Sequence, residues 1–162
     1  MRLEAALVDH WRRDAEVIAL AKTAEGRVAI VRGTADPGQP AGRLHYTLQS
    51  DAPEQSLSGG ETASRLARIR LEAFGRSRTG YEDARALLDA ALASTGGVTG
   101  GPQLRRFRGW LPAGAPAGQQ VFVQACRVEQ VEGDGEEPPL GGGYAKSWFT
   151  AAADLVVSYL GQ

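Results

Sequence analysis

Residues 66–92, LARIRLEAFGRSRTGYEDARALLDAAL, decide the fold because a strand pattern passes directly into a helix pattern. Between residues 66 and 73, apolar and charged side chains alternate with a period of two, which is typical of a strand with one buried face. The side chains expected to face the core are those of Ala67, Ile69, Leu71 and Ala73. The side chains expected to face outward are those of Arg68, Arg70 and Glu72. The pattern therefore predicts a half-buried strand with a charged outer face.

The turn after this strand leads into a helix with clear start and stop signals. Residues 75–80 hold the turn, and Thr79 with Glu82 matches a capping box, in which two side chains satisfy free backbone N–H groups. Glycines at 96 and 97 end the helix. The apolar stripe of the helix consists of Tyr81, Ala84, Leu87, Leu88, Ala91 and Leu92.

The remaining elements follow from the same two periodicities. An apolar stripe at helical spacing predicts one helix over residues 3–20. Within 120–132 the apolar phase changes between Ala125 and Cys126, which a β-bulge explains. Further strands are expected at 27–31, 43–49, 103–111, 120–132 and 147–160, and polar or glycine-rich loops at 50–61 and 132–143.

The order of elements is helix, three strands, helix, three strands. This order predicts an α+β fold in which two α-helices pack on one face of a mostly antiparallel β-sheet. Because neither an internal repeat nor a linker interrupts the pattern, residues 1–162 are expected to form a single domain.

Composition excludes several classes of protein. The 162 residues are 43% hydrophobic, which suits one soluble domain with a core of its own. A net charge of -1 gives no global attraction to nucleic acid or to anionic membranes. One cysteine, Cys126, permits neither an intrachain disulfide nor a cysteine metal cluster. The start, MRLEAALVDHWRRD, lacks the apolar segment of a secretion signal, and no run is long enough to span a bilayer. We expect a cytosolic, reduced protein without membrane contact.

The motifs of catalysis and cofactor binding are not found in the sequence. The imidazoles His10 and His45 have no ligand cluster around them, so structural histidines are expected rather than a metal site. Cys126 has no CxxC partner and is expected to be an inert thiol. The stretch 140–148, LGGGYAKSW, lacks both required glycines of a phosphate-binding loop. The paired carboxylates Glu136 and Glu137 are read as part of a solvated acidic run rather than a general acid–base pair. We expect neither an enzyme nor a bound cofactor.

Charge is segregated along the chain. Arginines and aromatic residues meet in residues 105–110, RRFRGW, a combination that suits a protein interface at least as well as nucleic acid. Residues 129–137 carry only acidic charges, those of Glu129, Glu132, Asp134, Glu136 and Glu137. Complementary surfaces on one chain can support head-to-tail self-assembly, which closes into a ring when the rotation permits.

The order of these segments resembles the tail-completion, or tail-terminator, proteins of long-tailed bacteriophages. The resemblance begins with a short N-terminal helix (LEAALVDHW), a proline-containing loop before a tyrosine strand (DPGQPAGRLHYTL) and a Leu-x-Gly loop at Leu57-Ser58-Gly59. It continues through the arginine-rich strand (ARIRLEAF), the helix GYEDARALLDAAL and the final strand WFTAAADLVVSYL. These segments cover most of the chain as a pattern rather than as one diagnostic motif.

The resemblance implies a non-enzymatic virion protein at the head-proximal end of the tail, present in the host cytoplasm during assembly. Such proteins form a sixfold ring that caps the finished tail tube and stops its polymerisation. The implied partners are further copies of the chain, the tail tube protein and the head-completion (stopper) protein. DNA passes through the lumen without sequence-specific binding, and an acidic lumen would not retain its phosphates. The residues expected at subunit or partner contacts are Arg68, Arg70, Glu72, Arg105, Arg106, Arg108, Asp134, Glu136 and Glu137.

Two other classes of function stay open. An immunity-type or other protein-binding module would use the acidic segment 132–143 to hold one cationic partner, and it would be a stable monomer. A small-ligand-binding α+β protein would need polar groups that converge in a cavity between helix and sheet. Tight binding of a small molecule would support this last class.

Overall fold

The computed structural model describes residues 2–21, 28–34, 42–55, 61–75, 78–95, 107–112, 114–116, 118–137 and 148–160. The helices of this part of the chain are α1 (Leu3–Trp11), α2 (Ala15–Leu20) and α3 (Arg78–Ser94). Its strands are β1 (Ile30–Arg32), β2 (Leu44–Gln55), β3 (Glu61–Gly75), β4 (Phe107–Leu111), β5 (Val121–Glu137) and β6 (Trp148–Leu160). The predicted α+β class is confirmed.

The six strands form one sheet in the order β1-β2-β3-β6-β5-β4. β1 runs parallel to β2, whereas the other four neighbouring pairs are antiparallel. The sheet is therefore mixed, and the predicted antiparallel arrangement holds for every pair except the one at the β1 edge. α3 packs on β3 and β6, and α1 and α2 pack against α3. We define the side that carries α3 as the helix face and the opposite side as the outer face.

The predicted helix over residues 3–20 is two helices, because the chain turns at residues 12–14. Asp14 has an extended backbone, and its Oδ1 accepts hydrogen bonds from the backbone N–H groups of Glu16 (3.0 Å) and Val17 (3.1 Å). An aspartate that satisfies the first free N–H groups of a helix is a strong N-cap. The described residues therefore form three helices, and the prediction of two helices is wrong.

The strand that opens the strand–turn–helix is confirmed. Ala67, Ile69 and Leu71 are fully buried and belong to one core with Leu87 and Leu88 of α3. β3 is longer at both ends than its apolar pattern, and α3 begins at Arg78. The threonine of the predicted capping box therefore lies in the first turn of α3 rather than before it. The predicted helix stop at residues 96–97 lies outside the described residues.

Two segments predicted as loops are strands. Residues 50–55 extend β2, and residues 132–137 extend β5. Neither segment has an alternating apolar pattern, but each lies beside a neighbouring antiparallel strand with which it pairs. The backbone hydrogen bonds of such a ladder satisfy polar segments without requiring a buried face. Side-chain periodicity does not report this kind of pairing.

The predicted bulge in β5 is confirmed by both pairing and burial. The register with β6 shifts between Val123 and Ala125. Before the shift Val121 and Val123 are buried, and after it Cys126 and Val128 are buried. The extra residue changes the phase of the strand, so both halves keep their apolar side chains on the helix face.

Trp11 joins the N-terminal helices to α3. Its indole is fully buried, and its Nε1 donates a hydrogen bond to the backbone carbonyl of Ala91 at 3.1 Å. Its ring lies 6.4 Å from the ring of Tyr46 on β2, measured between centroids. A buried indole needs a partner for its N–H, and this one finds it on a neighbouring helix. Among the described residues, no helix is both long enough and apolar enough for a membrane span.

We expect Gly75→Ala to destabilise the strand–helix connection. A Cβ at residue 75 would overlap the carbonyl group of Gly80 and lie 2.5 Å from the backbone nitrogen of Tyr81. Because these are backbone atoms, the connection would have to move, and the free energy of unfolding should fall by about 2 kcal/mol or more. Urea denaturation measures this loss. Thr79→Ala, an exposed change in the same connection, is the control and should stay within about 0.5 kcal/mol. Equal stabilities of the two variants would contradict the close approach.

Candidate interaction surfaces

The predicted charged face of β3 exists, and its charges are paired within the chain. Arg70 Nε lies 3.1 Å from Glu72 Oε1, and Arg70 Nη1 lies 3.2 Å from Asp154 Oδ1 on the central strand β6. Asp154 is only 7% exposed. A carboxylate with so little water around it requires a charged partner, and the guanidinium supplies one.

The same face carries a second, more exposed ion-pair group. Arg68 pairs with Glu129 of β5, whose other carboxylate oxygen lies 2.6 Å from Arg127 Nη2. The charged network of the outer face thus extends over three strands. Its members are Arg68, Arg70, Glu72, Arg127, Glu129 and Asp154. That Arg68, Arg70 and Glu72 also contact other subunits stays a prediction.

The predicted basic–aromatic cluster lies at the β4 edge of the sheet. The guanidinium carbon of Arg108 is 5.7 Å from the centroid of the Phe122 ring, a cation–π distance. The Trp110 and Phe122 rings meet edge to face at 5.1 Å, and Trp110 is 53% exposed. Arg105 and Arg106, predicted for the same cluster, lie outside the described residues.

The predicted acidic residues follow the far half of β5. Their backbone pairs with β6, where Glu136 is opposite Phe149 and Glu137 is opposite Trp148. The side chains of Asp134, Glu136 and Glu137 lie outside the described residues, and their predicted role as contacts stays a prediction. At about 3.3 Å per residue, the length of β5 from Val123 to Asp134 is roughly 35 Å. Arg108, whose strand β4 pairs with the first residues of β5, and the acidic segment therefore lie at opposite ends of β5.

A polar cluster on the outer face was missed by the sequence analysis. The hydroxyl groups of Ser64 and Ser158 lie within hydrogen-bond distance of Glu54 and of Gln124. Each hydroxyl carries one hydrogen and donates to one of these acceptors at a time. The four residues come from four strands, and no spacing in the sequence relates them.

Two shallow depressions are found among the described residues. One, of about 340 Å³, lies on the outer face and is lined by Glu54, Leu66, Ala125, Arg127, Val156 and Ser158. The other, of about 320 Å³, lies between α1 and β1 and includes the Glu4–Arg32 ion pair. Neither has the enclosed apolar shape that is typical of a small-molecule site.

His10 is hydrogen-bonded within the fold, and His45 and Cys126 are buried; that they have no catalytic or metal-binding role stays a prediction. His10 Nε2 is hydrogen-bonded to the backbone carbonyl of Ser94 at 2.8 Å, and this contact ties α1 to α3. His45 is fully buried, and its ring lies 6.3 Å from the ring of Phe74. The alternation of its strand predicts that His45 lies on a polar face, and its full burial shows that this prediction is wrong. Burial raises the pKa of the Cys126 thiol to about 12. Within the described residues, no three His, Cys, Asp or Glu side chains form a group that could hold a metal ion.

Comparison with known proteins shows a similarity of fold. No protein-family model matches the chain, and no curated protein sequence matches it significantly. Among solved structures, the chain is similar to a chain of the virion of a native gene transfer agent (GTA) particle. The two chains are 14% identical, with a TM-score of 0.57 over 98% of this chain and 95% of the other. The similarity therefore describes a fold shared along nearly the full length of both chains.

We expect the Arg70–Asp154 pair to contribute more to stability than the exposed pairs. Asp154→Asn removes the charge that the guanidinium neutralises in a little-hydrated position, and should cost about 1–3 kcal/mol. Glu129→Gln makes the matched change in an exposed pair and should cost less than about 1 kcal/mol. Chemical denaturation at neutral pH measures both. Equal losses would mean that burial does not set the difference.

We expect Cys126 to be unreactive toward Ellman's reagent in the folded protein at pH 8. The thiolate is the reacting form, and a pKa raised to about 12 leaves very little of it, in a side chain that is also buried. Addition of denaturant should release one rapidly reacting thiol per chain, monitored by absorbance. Rapid reaction of the native protein would contradict the closed environment around β5.

Proposed function

We propose that this protein is a structural component of a phage-like virion and that it acts as a tail terminator. In this role, copies of the chain form a ring on the end of the tail tube, stop its polymerisation and present a surface to the head-completion protein. The observation that carries the proposal is the fold similarity to a chain of a GTA virion, which covers nearly all of both chains. The order of segments that resembles tail terminators supports the same conclusion from the sequence.

The proposed activity is contact rather than catalysis. Polar and charged side chains of the outer face bond to one another across strands, as Arg70 does with Asp154 and Ser158 with Glu54. A rigid sheet with such a face is suited to hold neighbouring proteins in fixed positions. The proposed partners are further copies of the chain, the tail tube and the neck of the particle.

In the proposed ring, the basic surface at one end of β5 contacts the acidic surface at the other end of β5 in the next subunit. Arg108 marks a basic end near the start of β5, and Asp134, Glu136 and Glu137 belong to its far end. Attraction between the basic end of one subunit and the acidic end of the next is heterologous and can close into a ring. Acids that reach the lumen would let DNA pass without holding its phosphates.

The test is the native mass of the purified protein over a wide concentration range, with and without purified phage tail tubes. We expect rings of about six subunits, visible by electron microscopy in solution or at the ends of the tubes. A variant with Glu136→Lys and Glu137→Lys should lose at least tenfold in ring formation, because its acidic end becomes basic.

The matched control is Glu82→Lys with Asp83→Lys, the same change of charge on an exposed part of α3. The control should assemble like the parent. A monomer that neither forms rings nor binds tube ends would overturn the proposal. Tight capture of one cationic protein by such a monomer would instead support the protein-binding module.

A further inference from the structure

An apolar patch lies on the outer face at the end of the sheet where β6 finishes. Three large apolar side chains are exposed there: Leu66 (40% exposed), Trp110 (53%) and Leu160 (39%). Phe122, which packs against Trp110, completes the group. We define these four side chains as the end patch. Within the described residues, only one other large apolar side chain, Leu20, is exposed to this extent.

The register of the sheet places three members of the end patch side by side. Trp110 of β4 pairs with Phe122 of β5. Phe122 precedes Val123, which pairs with Tyr159, so Phe122 lies beside Leu160 of β6. On β3, Ser64 is opposite Leu160, and Leu66 lies two residues further along, opposite Ser158. Trp110, Phe122 and Leu160 therefore form an apolar row across three adjacent strands, and Leu66 lies diagonally from Leu160 on the fourth.

Opposite charges lie at the two sides of the end patch. On the β4 side, the guanidinium of Arg108 lies over the Phe122 ring. On the β2 side, the carboxylate of Glu54 accepts a hydrogen bond from Ser158 at 3.1 Å. In the order β2-β3-β6-β5-β4, β6 is the middle strand of five, so the backbones of Arg108 and Glu54 are each two strands away from it. The Glu54 carboxylate extends from β2 toward β6 as far as Ser158.

We propose that two copies of the chain pair face to face through the end patch, about a two-fold axis that runs along β6. A half-turn about this axis brings β4 of one copy over β2 of the other, and β6 over β6. Arg108 of each copy then faces Glu54 of the other copy, and the apolar side chains of the two patches cover one another. The in-plane axis perpendicular to the strands would instead place Arg108 against Arg108. Charge therefore selects the axis along β6, and a second copy provides both the apolar and the charged complement.

This pair goes beyond the proposed ring and does not rest on it. A ring is built from contacts between unlike surfaces, whereas a two-fold pair uses the same surface on both copies. A footprint of five strands by about four residues measures roughly 20 by 14 Å, from spacings of about 4.8 and 3.4 Å. Such a contact buries well under the roughly 1,200 Å² of a stable interface. The pair is therefore weak, and salt weakens it further by screening its charges.

The test is sedimentation analysis from micromolar to millimolar concentration in the absence of tail tubes. The parent chain should form dimers in a concentration-dependent manner. Arg108→Glu and Glu54→Lys should each weaken the dimer at least tenfold, because each places like charges face to face. An equimolar mixture of the two variants should recover dimers to within about threefold of the parent, since every facing pair in the mixed dimer has opposite signs.

The matched controls are Arg12→Glu, in the turn after α1, and Glu16→Lys on α2, two exposed charge reversals. Both should leave the dimer unchanged. A parent chain that stays monomeric, or a mixture that does not recover, would overturn the pairing about β6. If Glu54→Lys does not fold, Trp110→Ser and Leu66→Asn replace it: at least tenfold weakening supports the pairing, and unchanged association overturns it. Rings differ from dimers in mass, so the two proposals succeed or fail separately.

Discussion

The pairing of β3 with β6 at the centre of the sheet is the constraint on which the rest of the structure depends. The two strands run antiparallel through twelve pairs without a register shift, from Ser64 opposite Leu160 to Gly75 opposite Phe149. The other antiparallel pairs, β2–β3, β4–β5 and β5–β6, each contain at least one shift. Because side chains alternate with a period of two, one fixed register decides both faces at once. It turns Ile69 and Leu71 of β3 and Leu155 and Val157 of β6 toward α3, and it brings Arg70 beside Asp154 on the outer face.

The outer face has two parts, a charged middle and an apolar end. In the middle of the sheet, the charged network neutralises its own charges, and Asp154 would be costly there without Arg70. At the end where β6 finishes, apolar side chains are exposed between Arg108 and Glu54. The middle of the face is therefore stabilised by bonds within the chain, while its end exposes the side chains through which we propose the pairing of two copies.

Structural similarity without detectable sequence similarity has a physical explanation here. A core tolerates extensive exchange of apolar residues as long as volume and patterning are kept. The GTA virion chain shares 14% identity with this one over nearly the full length, yet the fold is similar. Such exchange preserves the order of helices and strands and the alternation of apolar and polar residues within them. Both features can be recognised in the sequence.

The sequence by itself determined the local structure wherever the side-chain pattern expresses burial. It determined β3 by alternation, α3 by its apolar stripe, the bulge in β5 by its change of phase, and the overall α+β class. It placed Arg68, Arg70 and Glu72 on the outer face for the same reason. It failed at residues 12–14, where Asp14 caps a new helix inside a continuous apolar stripe, since the stripe reports a buried face and not an unbroken backbone.

Only the tertiary structure decided which strands are neighbours, because pairing depends on backbone hydrogen bonds that any side chain can accompany. Because they pair with neighbouring strands, residues 50–55 and 132–137 are themselves strands, and β1 is parallel to β2. It also assembled Glu54, Ser64, Gln124 and Ser158 into one cluster and joined the end patch across four strands. These groups come from segments far apart in the chain, so no local spacing encodes them. Their position follows from the register of the whole sheet.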